Sequence, residues 1–164
     1  VIEVADGADV VIDGVRVRAV ANTHFLSGSH APDPSVAQSL SLRFDLPGRS
    51  VVITGDTGPS EPLVELARGA DVLVSSILDL DAAVATIRAS RPQAPPAFFE
   101  AARDHFSQHH LSPEAAGRLA QAAGVKRVVF THIGITPARM KAARAQLART
   151  WRGPVVFARD LGAY

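Results

Sequence analysis

The sequence predicts an α/β fold, and two observations carry the prediction. Short apolar runs alternate with helical patterns along the chain, and three of those runs end in a side chain of a kind that binds metal or moves protons. The run from Ser50 leads into Asp56, the run from Arg127 into His132, and the run from Val15 into His24. A buried strand that stops at a carboxylate or an imidazole delivers that group to one rim of a sheet, where α/β proteins gather their ligands.

Each element follows from local signals. Asp9 to Asp13 and Val15 to Ala21 flank Asp13-Gly14, a compact turn signal between β-rich runs, and predict a hairpin. Ser27 to Ser35, rich in Gly, Ser, Pro and Asp, reads as a loop. Leu40 to Phe44 alternates strictly and predicts a strand with one wet face, turned by Pro47-Gly48 into the Val51 strand. Ser60 is an N-cap, with Pro62 in the first turn, for a helix through Arg68 that Gly69 ends. Val72 to Val74 is a short buried strand. Asp81 to Ala89 and Ala97 to Gln108 are helical, and the Pro-rich stretch Arg91 to Pro96 separates them. Ser112-Pro113 starts a helix that Gly124 closes, and Thr136-Pro137 starts another that runs to about Trp151. Pro154 to Ala158 is an edge strand, because its proline cannot donate to a ladder.

Composition narrows the chemistry. At 164 residues the chain fits one domain, large enough to bury roughly 70% of its unfolded surface. The absence of cysteine excludes thiolate ligands and a cysteine nucleophile, leaving His, Asp and Glu. A net charge of +1 from 17 basic and 16 acidic residues scattered along the chain gives no support to nucleic acid binding. No apolar stretch reaches the ~20 residues of a membrane span, so a soluble protein, cytoplasmic or periplasmic, is expected. The opening Val1-Ile2-Glu3-Val4 reads like the interior of a longer protein.

The candidate site residues each have an alternative role. Asp56 and His132 are candidate metal ligands, since Zn²⁺ takes imidazole nitrogen and carboxylate oxygen at ~2.0–2.2 Å. Asp56 equally suits a turn-capping carboxylate in Gly55-Asp56-Thr57-Gly58-Pro59, and His132 a satisfied strand-end histidine. His105 and His109 stand four apart on a helix and read as a solvated surface pair. His110 lies in a loop just before Ser112 that can reach the rim. His24 and His30 lie in or beside loops.

Taken together, Ile53 to Ser60 (ITGDTGPS), His110 to Gly117 (HLSPEAAG) and Val128 to His132 (VVFTH), with Gly69 to Val74 (GADVLV) between them, resemble the second half of the metallo-β-lactamase fold, in its ribonuclease Z-like and arylsulfatase-like branch. The resemblance covers nearly the whole chain. It implies an α/β architecture that is the C-terminal half of an αββα sandwich, one mixed sheet with helices on its outer face, and a single partial domain over residues 1–164. It also implies a hydrolase that cleaves an ester, phosphodiester or lactone by a metal-activated hydroxide. By the same resemblance, Asp56 is the aspartate bridging two zinc ions and thus both metal and catalytic. His132 is the last histidine ligand, His110 the catalytic proton donor near the scissile group, and His24 a substrate-binding histidine facing the site.

Two departures qualify that resemblance. The family's His-x-His-x-Asp-His string, which supplies most metal ligands, is absent from this sequence. Zinc is therefore expected to bind weakly or not at all to this chain alone. Ser75-Ser76 also stands where related chains often carry an acidic residue that orients the catalytic histidine, leaving Asp79 as a substitute. With 47% hydrophobic and 20% charged residues, the sheet's inner face is expected to be covered by a missing N-terminal half or by a second copy in a homodimer. The substrate expected is a small molecule or a phosphodiester. The alternative is a non-catalytic binding module on the same scaffold, and a metal-free α/β domain is a third reading.

Overall fold

A computed structural model describes residues 3–25, 33 and 37–164. His30 and most of the loop read over 27–35 lie outside the described residues. Seven strands form one mixed sheet in sequential order. They are β1 (Asp9–Ile12), β2 (Val15–Ala21), β3 (Leu40–Leu46), β4 (Arg49–Ile53), β5 (Val72–Leu78), β6 (Val128–Gly134) and β7 (Val155–Phe157). β1 to β4 run antiparallel and β4 to β7 parallel. The first turn is the expected hairpin: Asp13 and Gly14 both have positive φ, 50° and 81°, as a tight turn matching strand twist requires.

The helices are α1 (Glu61–Ala67), α2 (Leu80–Ser90), α3 (Pro96–His109), α4 (Pro113–Ala123) and α5 (Met140–Leu147). Ser60 caps α1 by accepting from the Leu63 N–H, and Ser112 caps α4 by accepting from the Ala115 N–H. The last helix departs from expectation. It opens as a 3₁₀ turn over Pro137–Arg139 and ends at Leu147 rather than near Trp151. β5 is longer than its apolar run suggests, because Ser75 and Ser76 continue the strand, both buried.

One face of the sheet carries the main core. Val52, Leu73, Ile77, Val128 and Phe130 pack there against Leu63 and Leu66 of α1, Ala116, Leu119 and Ala120 of α4 and Leu147 of α5. Phe130 is fully buried, its ring 5.1 Å from that of Phe157. Phe130→Ala is expected to cost about 4 kcal/mol, the lost transfer of a large ring plus the cavity left behind, read from denaturant unfolding.

The alternation in β3 works opposite to expectation. Its polar side faces the helices: Ser41 is fully buried, and Arg43 donates to the carbonyls of Leu66 (3.0 Å) and Arg68 (2.8 Å) at the end of α1 and to Asp45 (2.8 Å). The apolar residues lie on the other face. Ladder register puts Leu42, Ile53, Val74 and Val129 in one row there, with Phe44, Val51 and Val72 in the next. None of them belongs to the main core, and Ile53 is 41% exposed. No described helix is long and apolar enough to cross a membrane.

Candidate metal centre

Strand direction decides which residues meet. β2 is antiparallel to β3 and β3 to β4, so β2 points the same way as the parallel strands β4 to β7. The chain leaving β2 at Ala21, β4 at Ile53 and β5 at Leu78 therefore emerges at one rim, where β6 also ends. His24, Asp56 and His132 all lie there. His110, the C-cap residue just after α3, reaches the same rim.

The donor atoms of His24, Asp56 and His110 lie within 4.8 Å of one another, the one such group among the described residues. His132 Nε2 stands 3.4 Å from Asp56 Oδ2. The rings of His24 and His110 face edge to face at 5.2 Å. All four sequence candidates thus come together around the Asp56 carboxylate. His24, expected to face a substrate, also offers a nitrogen within that range of Asp56 and His110.

His132 is placed by a local irregularity. Between Ser75 and Ile77 the β5–β6 register slips, so that Ser75 pairs with Phe130 while Ile77 pairs with Ile133. β6 holds one extra residue there. His132 takes φ 46°, in the left-handed region, and its side chain is 76% exposed. A bulge re-aims a side chain, and histidine tolerates left-handed backbone better than branched residues do. The strand thus turns His132 toward Asp56 at its own rim.

His24 is held by a buried polar lattice. Asn22, 1% exposed, accepts from the His24 N–H (3.1 Å) and donates to the Thr54 carbonyl (3.1 Å), so the ends of β2 and β4 share one side chain. The Gly58 N–H donates to Thr23 Oγ1 (2.8 Å). A Cβ on Gly58 would overlap the Gln108 carbonyl, so only glycine lets this loop lie against the end of α3.

Electrostatics tune His110. Half-burial pushes its imidazole below the ordinary 6.5, and the negative Asp56 partly opposes that. The ring is therefore mainly neutral at pH 7, with a lone pair available. Imidazole nitrogens and one carboxylate with no thiolate make a donor set that fits zinc.

Two expectations need correction. His109 is not a surface residue: it is 3% exposed, and its Nδ1 lies 2.7 Å from the His24 carbonyl and 3.0 Å from that of Thr23. His105 is exposed, its ring 4.3 Å from that of His109. The signal was present in the sequence, since Phe99, Ala102, Phe106 and His109 share one helical stripe and Phe99 is buried. Nor does Asp79 orient a histidine. It caps α2 through the Ala82 N–H (3.1 Å) and pairs with Arg139 at 2.7 and 3.2 Å.

The Arg139 guanidinium holds the Asp79 carboxyl below its ordinary range. Its stabilisation is complete above the unfolded value of about 3.9 and is lost as pH falls through the lower folded value. Asp79→Asn is expected to cost about 1–2 kcal/mol at neutral pH. Unfolding measured against pH should show wild type and variant converging as pH falls below the unfolded value and through the lower folded one. A gap that persists there would place the effect elsewhere.

Comparison with known proteins bears on this arrangement. A family model described as a β-lactamase superfamily domain matches residues 1–133. Ribonuclease Z of Mycobacterium avium (strain 104) is 36% identical over 151 residues, covering 91% of this chain and 46% of that protein. The chain spans about half the length of the curated relatives it matches. The metallo-β-lactamase fold protein YhfI from Bacillus subtilis superposes with a TM-score of 0.65 at 16% identity, over 96% of this chain and 52% of that one. Human tRNase Z, short form, superposes with a TM-score of 0.54 at 18% identity, over 93% and 42%.

Proposed function

The chain belongs to the β-lactamase superfamily, and from that premise we propose that it carries the second half of a metal-dependent phosphodiesterase site acting on RNA, as its ribonuclease Z relatives are named to do. The observation that carries the reading is the convergence of His24, Asp56 and His110 within 4.8 Å, with His132 3.4 Å from Asp56. Asp56, His132 and His24 would hold zinc, with Asp56 central because donor nitrogens of His24, His110 and His132 all lie close to it. Bound there, zinc would supply Lewis acidity toward a phosphoryl oxygen and favour ionisation of an attacking water.

The chain's own groups do the rest. His110 lies against Asp56 and can deliver a proton to the leaving oxygen. With its proton held less tightly than usual, that donation is strongest on the acid side of neutrality. The row of Leu42, Ile53, Val74 and Val129 lies outside the main core, with Ile53 exposed, and is the face on which the other half of an αββα sandwich would pack. That half would bring the ligands this sequence lacks. An overall charge of +1 means that RNA would be held by local contacts at the rim rather than by a basic surface.

The test is hydrolysis by the intact protein of a short RNA and of bis(p-nitrophenyl) phosphate, with metal content measured in parallel. Zinc-dependent cleavage of both is expected. His110→Ala should slow RNA cleavage by about 10²-fold and the activated ester much less, because nitrophenolate needs no proton to leave. Equal losses on both substrates would remove His110 from the donor role. Metal or RNA binding without turnover would favour the binding-module reading.

A further inference from the structure

Two histidines hold each other's backbone. His109 Nδ1 lies 2.7 Å from the His24 carbonyl and 3.0 Å from the Thr23 carbonyl, while His24 Nδ1 lies 3.3 Å from the His109 carbonyl. A carbonyl oxygen only accepts, so in both rings Nδ1 carries the hydrogen and, in the neutral form, Nε2 carries the lone pair. The two ring centroids are 6.3 Å apart and nearly perpendicular. The turn after β2 is thereby tied to the last residue of α3 by reciprocal bonds. His109 is 3% exposed, so its ring is sheltered from competition by water.

We propose that His109 is a positioning residue for His24, pinning the Thr23–His24 turn so that His24 presents Nε2 to Asp56 and His110. Metal-ligating histidines commonly donate their other nitrogen to a backbone carbonyl, which sets the tautomer and the ring direction. Here the carbonyl that does so for His24 belongs to His109, and the His109 side chain returns the bond. Two backbone segments 85 residues apart in sequence are held in register at the site. Asn22 holds the same turn from the strand side through the His24 N–H. The tautomer is a property of the metal-free chain; only its consequence for metal affinity rests on the function proposed above.

The test uses ¹⁵N–¹H spectra of the histidine rings in the intact, metal-free protein at about pH 8, above the ordinary imidazole value. His24 is assigned by comparison with His24→Gln. His24 is expected as the Nδ1–H tautomer in wild type and in His109→Asn, whose amide can donate to the same carbonyls. In His109→Phe it should become a mixture with Nε2–H, and cobalt(II) affinity should fall at least about tenfold, while His109→Asn keeps it within a few-fold. An Nε2–H tautomer in wild type, or an unchanged His24 pattern in folded His109→Phe, overturns the proposal. Should His109→Phe fail to fold, His109→Asn decides: loss of the Nδ1–H pattern there overturns it. The expected tautomers without cobalt binding to wild type would uphold the clamp and sink the metal-centre reading.

Discussion

Asp56→Ala is expected to lower phosphodiester hydrolysis by the intact protein by about 10³-fold or more, the scale of removing one electrostatic group from the reacting centre, and to deplete bound metal. Asp56 is the common neighbour in the site, within 4.8 Å of donor atoms on His24 and His110 and 3.4 Å from His132. Its loss leaves the neighbouring imidazoles of His24, His110 and His132 without the carboxylate that would balance a cation. The carboxylate is partly exposed and, among the described residues, pairs with the exposed His132, so folding should be largely unaffected. Activity and metal content are measured on protein whose thermal unfolding matches wild type. A variant that keeps near-normal metal would return Asp56 to a turn-capping role.

Gly58→Ala is expected to damage stability and activity together. The added carbon would run into the carbonyl of Gln108, and backbone cannot swing aside as a side-chain tip can. Either the loop after β4 or the end of α3 must move, at a cost of about 3 kcal/mol, the upper range for overpacking. The movement also breaks the Gly58–Thr23 bond of 2.8 Å and shifts the segment that carries His109 and His110. A displacement near 1 Å at a reacting group costs about 10²-fold in rate. Unfolding midpoint and kcat/KM are the readouts. If stability falls and the remaining folded protein has full activity, the glycine serves packing alone.

Much of the fold was legible in local signals. Pro113 behind Ser112, the Asp13-Gly14 turn and the apolar runs before Asp56 and His132 each encode a boundary within a few residues, because capping and strand termination act over one turn of chain. Where the expectation failed, a tertiary partner had overridden local polarity. Ser41 and Arg43 look solvated in sequence, yet the end of α1 supplies carbonyls for the arginine and covers that side of the strand. Ser75 and Ser76 look like a strand end, yet the ladder to β6 carries them on. The same holds for His109, whose polarity masks its place on the buried stripe of α3.

By itself the sequence determined that a carboxylate and imidazoles stand at strand ends, that this chain offers no thiolate, and that its donor types suit a borderline cation. Those are properties of residue identity and near-neighbour pattern. Only the tertiary structure decided that β2 runs in the direction of β4 to β6, bringing His24 to the rim of Asp56 and His132. It also decided that one extra residue in β6 turns His132, and that the end of α3 and the turn after β2 grip each other through His109 and His24. Those outcomes rest on pairing register and on contacts between segments as far as 85 residues apart, distances over which side-chain periodicity carries no information.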